Sequence, residues 1–283
     1  MLTQNIIKQT CADLEQQYCD YLVSHFADWR VWAEASEKVA NREQVQEEEI
    51  PEAFRTELKI TKVIVEMEDL GKFDWKNPTL LKLFAELAQG SFYTFFGDMI
   101  TKLSLRLSQS AGVKTLLEIG AGRANLTRIM LDQMKKMQVA LPIVTTDSQP
   151  IILDNIEKLQ PVYPQAQIQP LIWSITEQPS DELLGMLKHL VLLYERYTLN
   201  YANVSAIKNI SQVADILVLG DWFNYTGELF AYDEVFKKIG AMPLFYKDIK
   251  PHLDEYFPNQ YIFDQRAIDS IKLPNITLLI AWK

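Results

Sequence analysis

The apolar positions of this chain follow two rhythms. Over the first hundred residues they recur every three or four positions. Ile7, Cys11, Leu14, Tyr18, Leu22 and Phe26 form one stripe, the mark of an amphipathic helix. The acidic run REQVQEEEIP interrupts the pattern as a solvated stretch, and a second helix is expected over residues 52–70. Asn77 followed by Pro78 supplies an N-cap and a proline at the first helical position, so a third helix is expected to run from there to Gly90. Ser91 opens a fourth, which carries Phe92, Phe95, Phe96, Met99, Ile100 and Leu103.

From Lys114 the rhythm changes to short apolar runs alternating with helical segments. KTLLEI, PIVTTD, IQPLIWS and DILVLGD read as strands, PLFYKD as a short one, and QYIFDQRAID with NITLLIAWK as a closing pair. Helices are expected over 124–138, 150–160 and 228–239. Alternating β and α segments with apolar strands imply an α/β fold with a mostly parallel sheet covered on both faces. Pro170 cannot donate to a ladder, which puts its strand at a sheet edge. About forty residues separate the third and fourth of these strands, more than one crossover helix needs. They are read as two helices, over 181–196 and 201–213, forming a helical insertion at about 176–213 that caps the site and supplies Tyr194, Tyr197 and Tyr201. The expected organisation is an N-terminal helical cap or accessory region over 1–110 and an α/β domain over 111–283.

Composition narrows the function class. The chain has 283 residues, 48% hydrophobic and 23% charged, with a formal net charge of -9. Phosphate neutralisation needs a basic surface, so nucleic acid is disfavoured as a partner. The absence of an apolar run long enough to span a bilayer, and of a secretory pattern in MLTQNIIKQTCADLEQQ, leads to the expectation of a cytoplasmic protein with no membrane partner. Its two cysteines, Cys11 and Cys19, sit on one helical stripe and are expected to be reduced. The sequence holds no cluster of metal-ligand type.

The candidate chemistry centres on LLEIGAGRANLT, residues 116–127, an apolar strand entering a glycine turn that opens a helix. Gly120 and Gly122 let the backbone turn tightly and approach a ligand. The dinucleotide fingerprint G-x-G-x-x-G requires glycine or alanine at the position of Asn125, which weakens a nicotinamide-cofactor reading. An acid followed by x-G-x-G-x-G fits better, through Glu118, Gly120, Gly122 and Ala124. This pattern resembles motif I of class I S-adenosylmethionine-dependent methyltransferases, with alanine at the third glycine.

The resemblance covers roughly residues 114–283. It implies a Rossmann-like, mostly parallel seven-stranded sheet with an antiparallel last strand, and S-adenosylmethionine as cofactor, released as S-adenosylhomocysteine. Within it Glu118, Gly120, Ala121 and Gly122 would face the methionyl end. Asp147 and Ser148 follow the second strand; an ionised carboxylate there is acceptor-only and suits two ribose hydroxyls. Ser174 and Ile175 would lie beside the adenine. Gly220 and Asp221 end the strand that would face both donor and acceptor.

Methyl transfer is an in-line displacement, so positioning is the main requirement and a base is needed only where the nucleophile must lose a proton. Asp221, His189 and Tyr225 are the candidates for that role. Phe92, Tyr93, Phe96, Tyr197 and Trp222 are candidate pocket residues for a small organic acceptor, free or carrier-bound. DWFN lacks the D/N-P-P-Y/F signature of amino-methylating enzymes. The competing classes are a protein methyltransferase, a non-catalytic protein that retains the fold, and an oxidoreductase. Neither the acceptor nor the oligomeric state is legible in the sequence.

Overall fold

The computed structural model describes residues 2–72, 77–187, 189–199, 202, 204–228, 233–234, 237 and 244–283. Tyr201 and most of the helix expected over 228–239 lie outside them. Five helices come first: α1 (Gln4–His25), α2 (Trp29–Ala40), α3 (Arg55–Asp69), α4 (Pro78–Gln89) and α5 (Ser91–Ala111). Their ends are chemically marked. Thr3 caps α1 by accepting from the Ile6 N–H, and Asn77 caps α4 by accepting from Thr79 and Leu80. Gly112, at φ 73°, closes α5 in the left-handed conformation that favours glycine.

Strands and helices then alternate: β1 (Thr115–Ile119), α6 (Asn125–Met137), β2 (Ile143–Asp147), α7 (Ile151–Leu159), β3 (Ile168–Ile172), α8 (Asp181–Met186), β4 (Val191–Arg196), α9 (Ala206–Val213) and β5 (Ile216–Asn224). They are followed by β6 (Leu244–Phe245), α10 (Tyr246–Tyr256), β7 (Asn259–Ile262), α11 (Gln265–Ile271) and β8 (Asn275–Trp282). The sheet order is β3-β2-β1-β4-β5-β8-β7, with β6 beside β5. Strands β1 to β5 pair in parallel, and β8 runs antiparallel to both β5 and β7. This is the expected Rossmann-like sheet, joined by an eighth, two-residue strand. Pro170 lies in β3 at the edge, where a missing donor disturbs no ladder.

One expectation is corrected. The region 181–196 is not one helix: α8 ends at Met186 and VLLYER forms β4, at the centre of the sheet between β1 and β5. A strand buried on both faces is a continuous apolar run, and its periodicity does not differ from that of a buried helical turn. The segment at 176–213 is therefore not a helical insertion but an ordinary α8–β4–α9 crossover. DILVLGD becomes the fifth strand.

Side chains alternate between two apolar layers. Leu116, Leu192, Tyr194, Ile216 and Val218 face a core shared with α1, α3, α5 and α6. Leu117, Leu193, Leu217 and Leu219 face a second core with α9 and α10. The N-terminal helices thus complete one face of the sheet rather than standing apart from it. Tyr18 of α1 shows this directly: its hydroxyl hydrogen-bonds Thr277 Oγ1 of β8 at 2.6 Å, in full burial.

Candidate functional site

The carboxyl ends of β1, β2, β4 and β5 meet at the glycine turn. Gly120 and Gly122 have φ of 63° and 48°, and Ala124 follows at 58°. Gly120 has no room for a side chain, because a Cβ there would lie 2.2 Å from Thr198 Oγ1. Gly122 is less confined: a Cβ would make only ordinary van der Waals contact with Asp147 Oδ2 and the Gly120 carbonyl, both at 3.9 Å. A backbone surface bare of side chains and edged by a carboxylate is what a nucleoside needs for close approach.

Asp147 ends β2 and is half-buried. Its Oδ2 accepts from the Gly122 N–H at 2.9 Å and its Oδ1 from the Gln149 N–H at 2.8 Å, so both oxygens are held at the mouth of the turn. Ala121 N–H donates to the Thr146 carbonyl, and Asn155 Nδ2 to the Gly122 carbonyl. Ser148 is exposed beside Asp147. Ser174 lies half-buried after β3, hydroxyl to hydroxyl with Thr176 at 2.7 Å, and Ile175 is buried next to it. Arg123 points to solvent.

Glu118 is buried in β1, accepting from Thr127 Oγ1 at 2.8 Å and Tyr194 Oη at 2.9 Å on one oxygen. Burial pushes its carboxyl up to about 7, against the pull of those two hydrogen bonds and the Arg196 charge. Gly220 lies against α5, where a Cβ would come within 2.4 Å of Ile100 Cδ1.

Asp221 and Trp222 sit where β5 slips register: Gly220 pairs with Leu278 and Phe223 with Ile276, leaving one extra residue on β5. A bulge of this kind re-aims side chains at a sheet end. Asp221 is fully buried and accepts from the Trp222 N–H at 2.7 Å. The candidate pocket rings do converge. Phe92 lies 5.5 Å from Phe96 and 6.0 Å from Trp222, and Tyr197 lies 5.3 Å from Tyr93 and 5.5 Å from Phe96. Two candidates are not brought there. His189 is exposed, just ahead of β4, next to Leu190, whose carbonyl accepts from the Lys114 N–H before β1. That is the amino end of the strands, opposite the turn, so His189 cannot reach a site at the carboxyl end. Tyr225 is 45% exposed and its ring neighbour is Tyr246, 6.0 Å away.

The sequence reading missed the end of β4. Glu195 is fully buried, accepting from the Thr198 N–H at 2.8 Å, and Thr198 Oγ1 donates to the Ile119 carbonyl. Tyr197 has φ of 58°, uncommon for a bulky residue, and its N–H donates to the Gly220 carbonyl. His25 of α1 also enters the ring cluster, 5.4 Å from Phe92 and 4.9 Å from Phe26, with burial holding its pKa below the usual value. The available signal was the similarity of LLYER to TLLEI: an apolar run ending in an acid. Among the described residues there is no grouping of His, Cys, Asp or Glu fit to hold a metal, and no helix long and apolar enough to cross a membrane.

The strand order and the turn together define the class I S-adenosylmethionine-dependent methyltransferase fold. The chain is similar to the solved CMeT domain of citrinin polyketide synthase, with a TM-score of 0.60 and 16% identity. The match covers 81% of this chain and 65% of that one. It is equally similar to the DszA carbon methyltransferase (TM-score 0.62, 16% identity, 81% of this chain and 66% of that one). With the CurJ carbon methyltransferase the TM-score is 0.54 and the identity 15%, over 94% and 70% of the two chains. This chain thus spans just under two thirds of the first two structures it matches. No protein-family model and no curated protein sequence matches it.

Proposed function

We propose that this chain transfers a methyl group from S-adenosylmethionine to a small organic acceptor, free or carrier-bound. The observation that carries the reading is the constellation at β1 and β2: two glycines at positive φ, a Gly122 surface that no side chain crowds, and Asp147 held at its edge. Asp147 would accept from the ribose hydroxyls, Ser174 and Ile175 would border the adenine, and the turn around Ala121 would face the methionyl part, with Glu118 bracing it from below. The bound cofactor supplies an electrophilic methyl on a sulfonium. The chain's own contribution is to hold the acceptor in line with it and to exclude water, and positioning of this kind is worth up to roughly 10 kcal/mol.

The rings of Phe92, Tyr93, Phe96, Tyr197 and Trp222 favour an apolar or unsaturated acceptor body. The similar structures named as carbon methyltransferases, one of them a polyketide synthase domain, support a carrier-bound acceptor of that character. Calorimetric titration with S-adenosylmethionine and S-adenosylhomocysteine tests the reading. Micromolar binding of either is expected; no heat at millimolar ligand would refute it.

A further inference from the structure

The end of β4 and the loop after it carry two buried polar atoms that nothing among the described residues satisfies. Glu195 Oε1 and the Tyr197 hydroxyl are each sealed from solvent and have no hydrogen-bond partner among the described residues. Buried polar atoms are nearly always paired, so each exception calls for an explanation, a catalytic role or a missing partner among them. The loop also packs directly on the cofactor turn, since Thr198, next to Tyr197, lies against Gly120 and bonds the Ile119 carbonyl. Tyr197 is tied to β5 through the Gly220 carbonyl, one residue before Asp221, and its left-handed backbone is the kind of strain kept where a side chain must be aimed. The Asp221 carboxyl acts electrostatically on both the Tyr197 hydroxyl and Glu195, so the three groups form one neighbourhood at the ends of β4 and β5.

We propose that Tyr197, Asp221 and Glu195 form the polar anchor of the acceptor site, and that the acceptor presents an acidic hydroxyl of the phenol or enol type. Tyr197 Oη donates a hydrogen bond to the hydroxyl oxygen, and the carboxyl pair receives its proton. This rests on the methyltransferase reading above. Two buried carboxyls at the ends of neighbouring strands cannot both stay ionised cheaply, and burial together with the Asp221 charge holds Glu195 well above the usual carboxylate range. Such surroundings favour taking up a proton over carrying a second charge. As the O–H bond breaks, the freed electron pair forms the new bond to the methyl carbon, at the oxygen or at a carbon conjugated with it. The carbon–sulfur bond breaks with its electrons going to sulfur, and the hydroxyl proton ends on the carboxyl pair. An ammonium has no lone pair to accept from Tyr197, and an ether has no proton to give.

The test uses the protein saturated with S-adenosylhomocysteine and three probes of similar size: phenol, anisole and benzylamine, followed by calorimetry. Phenol is expected to bind about tenfold more tightly than anisole, the worth of one hydrogen bond, and more tightly than benzylamine. Tyr197→Phe is expected to weaken phenol and anisole alike by about tenfold, because both oxygens accept from its hydroxyl, whereas Asp221→Asn is expected to remove most of the phenol preference. Equal binding of phenol and anisole, no binding of either, preference for benzylamine, or an unchanged phenol affinity in Tyr197→Phe would each overturn the proposal. Those results leave the methyltransferase reading standing, whereas failure of wild type to bind S-adenosylhomocysteine removes both. Should Asp221→Asn fail to fold, Tyr197→Phe decides, since it keeps the ring and deletes one buried, unpaired oxygen.

Discussion

Gly120 and Gly122 have the same backbone conformation but opposite surroundings, and alanine should separate their roles. Gly120→Ala drives a methyl into Thr198 and should cost more than about 2 kcal/mol of folding stability, read by urea denaturation. Gly122→Ala meets no such obstacle and should cost only the left-handed strain of about 1–2 kcal/mol. Its methyl enters the space assigned to the cofactor, so affinity for S-adenosylhomocysteine should fall at least about tenfold, or 1.4 kcal/mol. Reversal of that pattern, with Gly120→Ala stable and Gly122→Ala unfolded, would mean the ligand surface has been misplaced. Asp147→Ala should weaken S-adenosylhomocysteine by about 10- to 100-fold, the loss of charged hydrogen bonds to ribose; wild-type affinity would refute the ribose assignment. These positions were legible in the sequence because motif spacing fixes them locally: an acid, a glycine turn and a second acid one βα unit later. Glu195 was not legible, since its role depends on β4 being a strand beside β5, a non-local fact. His189 failed for the same reason, because its place at the wrong end of the sheet follows from where β4 begins.

At the level of elements, strands with a local punctuation mark were readable and the one without was not. Pro170 placed β3 at the edge, and Asn77-Pro78 placed the start of α4. VLLYER has no glycine or proline beside it, and the helix-like LLGML precedes it. The sequence also suggested a boundary near residue 110, yet α5 packs against β4, β5 and α6, while Tyr18 of α1 reaches Thr277 of β8. Asp264 closes this join by accepting from the Thr277 N–H at 2.8 Å and its hydroxyl at 2.5 Å. We therefore expect the helical region and the sheet to unfold together. Tyr18→Phe, which strands Thr277 Oγ1 with fewer partners, should destabilise the chain by about 1 kcal/mol in a single transition seen alike by circular dichroism and tryptophan fluorescence. Two separated transitions, only one of them shifted, would show that the N-terminal helices fold as their own unit.

For the whole molecule, the buried acids set an unusual pH dependence. Burial raises Glu57 and Glu118 to about 7 from 4.5, and Asp264 to about 6 from 3.8. A carboxyl whose folded pKa lies above its unfolded value keeps a proton that the unfolded chain has already released. Its contribution is greatest below the unfolded pKa and declines as pH rises through the interval up to the folded pKa. Stability should therefore fall between pH 3.8 and about 7 on account of these groups and level off above. His25 opposes them below its ordinary 6.5, because its desolvated ring resists the proton that the unfolded chain accepts. A bare pH profile mixes these slopes, so the decisive measurement is a difference. Glu57 lies on α3 with Oε2 buried and without a hydrogen-bond partner among the described residues. Glu57→Gln has no proton to release, so it should gain on wild type by an amount on the order of a few kcal/mol at pH 8 and by much less at pH 5. Equal effects at the two pH values would mean that Glu57 is ionised in the fold, and that a net charge of -9 is carried with one more buried carboxylate than its surroundings allow.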